Sequence, residues 1–159
     1  MPHITLMDIA NDITDTLRAA TVLMPGEAME RPFTVQAFHE LTEGIQDLPT
    51  IQVYPTESLT DLNTTTDRTT LRVGVQHTQL VFSLRVFARQ RSNLNDDMAA
   101  VLACWDAIDQ ALSGVSMGCK PFFDSEAVKS FRWQTVLSIY EYARVAYVGC
   151  EYVLTVEVF

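Results

Sequence analysis

The chain has 159 residues, 48% of them apolar and 19% charged, with a formal net charge of −9. That length suits one domain, 1–159, able to bury about two-thirds of its unfolded surface, and the composition excludes a disordered chain. The acidic balance excludes a sequence-independent grip on nucleic acid, which needs clustered Lys and Arg, although an acidic wall that repels phosphate leaves room for DNA to pass nearby.

Cys104, Cys119 and Cys150 are an odd number at wide spacing. They make neither a disulfide framework nor a metal-ligand pattern, and they fit a reducing compartment. No basic region followed by an apolar run stands near His3 and Asp8, so no signal peptide is expected. No stretch approaches the ~18 apolar residues of a membrane span.

Ile4, Ile9, Ile13, Leu17 and Ala20 recur at helical spacing, and Thr5 with Asp8 reads as a capping box. A first helix is expected from about Leu6 to Ala20, before Pro25-Gly26. Phe33 to Phe38 alternates after Pro32 and predicts a first strand. Leu41, Ile45 and Leu48 predict one or two helical turns closed by Pro49. Ile51, Val53 and Tyr54 predict a short strand stopped by Pro55. Residues 55–68, rich in Thr, Ser, Asp and Asn, read as a long loop of the kind that is often functional.

Leu71, Val73 and Val75 then alternate, and so do Leu80, Phe82, Leu84, Val86 and Ala88. The apolar parity switches from odd to even between the two series, which predicts a turn or bulge at Gln76-His77-Thr78-Gln79. Arg91-Ser92-Asn93 can cap a helix with Asp96 and Asp97 in its first turn. Its expected apolar stripe is Leu94, Met98, Val101, Leu102, Trp105, Ile108 and Leu112, ending at Ser113-Gly114.

A connection over Ser116 to Glu126 leads to a strand containing Phe131, Trp133, Thr135 and Leu137. Ile139 to Val148 fits either a helix or a strand, and the alternation of Ala143, Val145 and Tyr147 tips it toward strand. Tyr152, Leu154, Val156 and Val158 predict a final strand. The fold class is therefore α+β, a mostly antiparallel sheet with helices packed on one face. The opposite face keeps Val81, Phe87 and Val153 among polar residues. Such a face reads either as a subunit contact or as scattered surface apolar residues.

No catalytic, cofactor-binding or metal-ligating set emerges. His3, His39 and His77 are far apart, and Glu43 and Gly44 occupy the positions where a second zinc histidine would follow His39-Glu40. Cys104 beside Trp105 reads as a small buried apolar residue, and Cys150 has no neighbouring His to activate it. Ser58 and Ser138 lack a nucleophile-elbow setting. Asp96-Asp97 reads as helix-start acids.

The element order, Leu48-Pro49-Thr50-Ile51-Gln52-Val53-Tyr54-Pro55, Leu80 to Phe87, Ala107 to Leu112 and the closing Tyr147 to Val156 together resemble the tail terminator and tail-completion proteins of long-tailed bacteriophages. The resemblance implies a non-enzymatic virion protein at the head-tail junction, assembled in the host cytoplasm and needing no cofactor. It implies a ring, usually of about six copies, with two different patches on each subunit. Its partners would be other copies of itself, the tail tube protein and the head-tail connector or neck protein. Viral DNA would pass through the lumen without specific binding, and no membrane is involved. Candidate contacts are Val81, Phe87 and Val153 on the mixed face, Leu59 and Leu62 in the 55–68 segment, and Asp97 and Gln110 on the outer helix surface. A connector or tube subunit, a small enzyme and a regulatory binding module are the other readings.

Overall fold

The computed structural model describes residues 5–63, 75–114 and 128–158, and the backbone alone at 61–63, 75–77 and 129. Helix α1 spans Leu6–Arg18. Its first turn carries the expected capping box: Thr5 Oγ1 accepts from the Asp8 amide at 3.1 Å, and the Asp8 carboxylate accepts from the Thr5 amide at 2.8 Å. Two short strands, β1 (Thr21–Val22) and β2 (Arg31–Pro32), pair antiparallel. The main sheet holds β3 (Thr34–Ala37), β4 (Thr50–Asn63), β5 (Val75–Gln90), β6 (Val128–Tyr142) and β7 (Val145–Val158), in the order β3-β4-β5-β7-β6. Helix α2 (Leu94–Gly114) connects β5 to β6 in sequence. The class is α+β with a mixed sheet: β3 and β4 run parallel, and the other pairings are antiparallel.

The even positions of β5 behave as their alternation predicts. Leu80, Phe82, Leu84, Val86 and Ala88 are buried, next to Cys150, Tyr152, Leu154 and Val156 of β7. The same hydrophobic cluster takes Ile9, Ile13 and Leu17 from α1, and Val101, Cys104, Ile108 and Leu112 from α2. Each such side chain, fully withdrawn from water, contributes about 1.5–3 kcal/mol.

Five expectations need correction. Residues 38–49 hold turns and bends rather than a helical segment around Leu41, Ile45 and Leu48. The strand after Pro49 does not stop at Pro55 but runs to Asn63, so the first part of the expected 55–68 loop is strand; residues 64–68 lie outside the described residues. Proline is tolerated there because β3 pairs only with Thr50–Val53, leaving Pro55 on an open edge beside a bulge between Pro55 and Glu57. No turn interrupts Gln76 to Gln79, since β5 is continuous from Val75. Leu71 and Val73, which motivated that turn, lie outside the described residues. The stripe of α2 is also rotated. Asp97, Ala100, Val101, Cys104, Ile108 and Leu112 are buried, while Leu94 and Leu102 are exposed.

The register shift of β5 falls between Phe87 and Arg89, where Phe87 and Ala88 together face Gly149 of β7. A Cβ at Gly149 would stand 1.6 Å from the carbonyl oxygen of Val86. Ile139 to Val148 is a hairpin: β6 continues to Tyr142, Ala143 and Arg144 form a two-residue loop at φ 50° and 66°, and β7 begins at Val145. Those paired positive φ values are the signature of a type I′ turn.

Two outcomes follow. Gly149→Ala is expected to cost about 3 kcal/mol or more, because the obstacle is backbone and cannot rotate away; urea unfolding reads this as a lowered midpoint. Ala143→Asn combined with Arg144→Gly places the residues that a type I′ turn favours, and is expected to raise stability by about 1 kcal/mol in the same assay.

Candidate interaction surfaces

The sheet has two faces of different character. Opposite residues of paired strands share a face, so Leu59, Val81 and Val153 lie together, on the face away from Leu80, Phe82 and Leu84. Leu59 is 56% and Val153 38% exposed, and Val81 is half-buried. Val136 of β6 joins them at 50% exposure, a member that the sequence reading did not single out. Polar groups separate these apolar residues, including Ser83, whose hydroxyl donates to Glu151 at 2.7 Å.

Two of the expected contact residues do not belong to a surface. Phe87 is on this face but only 1% exposed. Its ring is enclosed by Tyr140, Tyr142 and Tyr147 at centroid separations of 4.8, 5.8 and 5.5 Å. The Tyr142 hydroxyl also donates to the Thr42 carbonyl, which ties the 38–49 segment to that end of the sheet. Asp97 is 4% exposed. It accepts from the Ser92 amide at 3.1 Å and pairs with Arg89 Nε at 3.2 Å, so it locks the entry of α2 rather than facing outward. Beside it, Asn93 Oδ1 accepts from the Asp96 amide at 3.0 Å, in the way of an N-cap. Gln110 is exposed on α2 as expected, and the side chain of Leu62 lies outside the described residues.

A second exposed apolar group lies on β6 itself. Leu137 and Ile139, opposite Cys150 and Val148, are 50% and 59% exposed on the face that carries the core. Among the described residues the sheet therefore ends at β6, with apolar side chains exposed on both faces.

The two edges of the sheet also differ. At β3, the Arg18 guanidinium donates to the Val35 carbonyl at 3.2 Å and pairs with Glu40 at 2.6 Å. The Glu40 carboxylate in turn accepts from the Ala37 amide at 3.5 Å, so side chains occupy backbone groups along this edge. Beyond β3, β4 from Tyr54 to Asn63 has no outer strand among the described residues, and neither has β6.

Buried polar chemistry is structural. Asp109 Oδ1 accepts from Trp133 Nε1 at 3.2 Å and lies 2.9 Å from the hydroxyl of Tyr152, which is also 3.0 Å from the Trp105 carbonyl. Burial drives the Tyr152 hydroxyl far above the ordinary phenol range, with Cys150 and Asp109 adding to it, so it stays protonated and serves as a fixed donor. This cluster joins α2 to β6 and β7. Nothing in the periodicity foretells it, because its members are far apart in sequence. Burial pushes the thiols of Cys104 and Cys150 up to about 12, which leaves neither as a nucleophile at neutral pH. His39 is exposed beside Glu40, while His3 and Cys119 lie outside the described residues, as does the side chain of His77.

Among the described residues no group of three His, Cys, Asp or Glu could hold a metal ion, and no helix is long and apolar enough to cross a membrane. No protein-family model matches the chain, and no curated protein matches it.

Asp109→Ala strands the Trp133 Nε1 donor and leaves the Tyr152 hydroxyl only the Trp105 carbonyl, and is expected to destabilise the fold by about 1–3 kcal/mol. Asp109→Asn keeps the acceptor oxygen and is expected to lose less. Thermal melts separate the two, at about 2–4 °C per kcal/mol for a chain of this size.

Proposed function

We propose that this chain is a structural protein of a long-tailed bacteriophage, the tail terminator. It forms a ring on the end of the tail tube, stops tube polymerisation and presents the surface to which the filled head docks. The observation that carries this reading is a sheet whose face away from the common core keeps Leu59, Val81, Val136 and Val153 uncovered or half-covered, and whose edges at β4 beyond Val53 and at β6 have no outer strand among the described residues. Apolar side chains gathered on one face and open strand edges are surface through which a small domain can meet other chains.

The helices add to it. Their buried residues share one cluster with the even positions of β5 and with β7, and we read this as both helices covering one face of the sheet. The opposite face is then left for a partner. The other partners on this reading are the tube protein and the connector or neck protein, one on each side of the ring. The net charge of −9 suits a lumen through which DNA slides without sticking.

Mass measurement in solution, with negative-stain images and added tail tubes, tests the proposal. The expected result is a closed particle of roughly 107 kDa, about six copies of the 17.9 kDa chain, or such a ring formed on tube ends that then stop growing. Filaments would move the assignment to a tube subunit. A monomer that ignores the tubes would overturn it.

A further inference from the structure

The flank of α2 that meets β6 continues as bare apolar surface. At about 100° per residue, Leu94, Met98, Leu102, Trp105 and Asp109 fall within a quarter turn of one another on this helix. Asp109 fixes where that flank points, since its carboxylate accepts from Trp133 of β6. Trp133, Leu137 and Ile139 alternate along β6 and so share the sheet face that carries the core. The start of α2 lies toward the other end of the strand, where the Arg91 amide donates to the carbonyl of Ala146, the residue opposite Glu141.

Helix and strand therefore run side by side in opposite directions. Leu102 and Met98 stand about 10 and 16 Å along α2 from Asp109, and Leu137 and Ile139 stand about 13 and 20 Å along β6 from Trp133. The two apolar pairs are level with one another. Leu94 is 75% and Leu102 52% exposed, and Leu137 and Ile139 are exposed beside them, so these four are left outside the core. The surroundings are acidic. α2 carries Asp96, Asp97, Asp106 and Asp109 and no Lys or Arg. Asp106 is exposed one turn beyond Leu102, and Glu141 is exposed two residues beyond Ile139, on the same face of β6. Arg91 and Arg144 stand at one end only, in the loop before α2 and in the β6–β7 turn.

We propose that this strip between α2 and β6 docks an amphipathic helix of another protein, with its apolar side on Leu102, Leu137 and Ile139 and with Lys or Arg along its flanks toward Asp106 and Glu141. A helix laid there takes the usual spacing of about 8–10 Å from α2 and extends the helical layer over the last strand. Charge complementarity selects a foreign helix over a second copy, because α1 is acidic as well, with Asp8, Asp12 and Asp15 against Arg18. The strip is on the face opposite Leu59, Val81 and Val153, so it goes beyond the ring reading and does not depend on it.

The test is fluorescence anisotropy of the full chain with two labelled synthetic peptides of about five helical turns, one of Leu and Lys patterned as an amphipathic helix and one with Glu in place of Lys. The Leu/Lys peptide is expected to bind and to gain helicity by circular dichroism, and the Leu/Glu peptide to bind at least about tenfold more weakly. Leu137→Lys and Val136→Lys add the same charge at adjacent positions on opposite faces of β6. Leu137→Lys, like Leu102→Lys, is expected to weaken binding about tenfold, and Val136→Lys to leave it within about twofold. Asp106→Asn combined with Glu141→Gln keeps the apolar strip and is expected to weaken binding severalfold while flattening its salt dependence. All of these sites are exposed, and circular dichroism checks that each variant folds. Equal weakening by Val136→Lys and Leu137→Lys, as strand addition at the β6 edge or diffuse attraction would give, overturns the docking site. So does equal affinity for the two peptides, or no affinity for either. An oligomer of the native chain that Leu137→Lys takes apart overturns it too, by assigning the strip to a second copy.

Discussion

The passage of β7 past the β5 bulge is the tightest constraint in the sheet. At Gly149 the two backbones come so close that the Val86 carbonyl oxygen fills the space a side chain would need. That approach allows Phe87 and Ala88 to share one step of the ladder. Val86 and Ala88 then reach the main core, while Phe87 anchors a separate aromatic cluster with Tyr140, Tyr142 and Tyr147 on the opposite face. A domain of this size thus packs both faces of its sheet at one end. The other end, around Leu59 and Glu57, has its outer face in water.

Much of the core was legible because it follows from period alone. The even series of β5, the last strand and the capping box of α1 each rest on several residues that agree. What failed did so for identifiable reasons. Residues 56–60 are all exposed, so no buried face imposes an apolar alternation, and strand reads as loop by composition. Cross-strand contacts such as Thr60 with Thr78, whose hydroxyls lie 3.3 Å apart, take the place of that pattern. In α2, a hydropathy stripe favours Met98 over Asp97. The Arg89 guanidinium and the Ser92 amide make the acid burial tolerable and turn the helix accordingly. The hairpin at Ala143-Arg144 carries no Gly, Asn or Asp, so its turn had no local signal.

The candidate surfaces were half legible. Val81 and Val153 were legible from their places in otherwise polar series, whereas Leu59, expected in a loop, joins them because β4 runs on to Asn63. Val136, Leu137 and Ile139 were not, because on an edge strand neither face is fully covered and an apolar residue there looks like core. Phe87 shows the converse. An aromatic residue on a polar face reads as exposed until distant tyrosines are known to surround it.

The two edges of the sheet have been treated differently, and the difference bears on what the surfaces are for. Pairing the backbone groups of β3 with Arg18 and Glu40 suppresses strand addition there. Along Tyr54–Asn63 of β4 the device is of another kind, Pro55 and the bulge beside it, while β6 is long and carries apolar side chains on both faces. An edge like that of β6, left uncovered, is a template for strand addition by another chain.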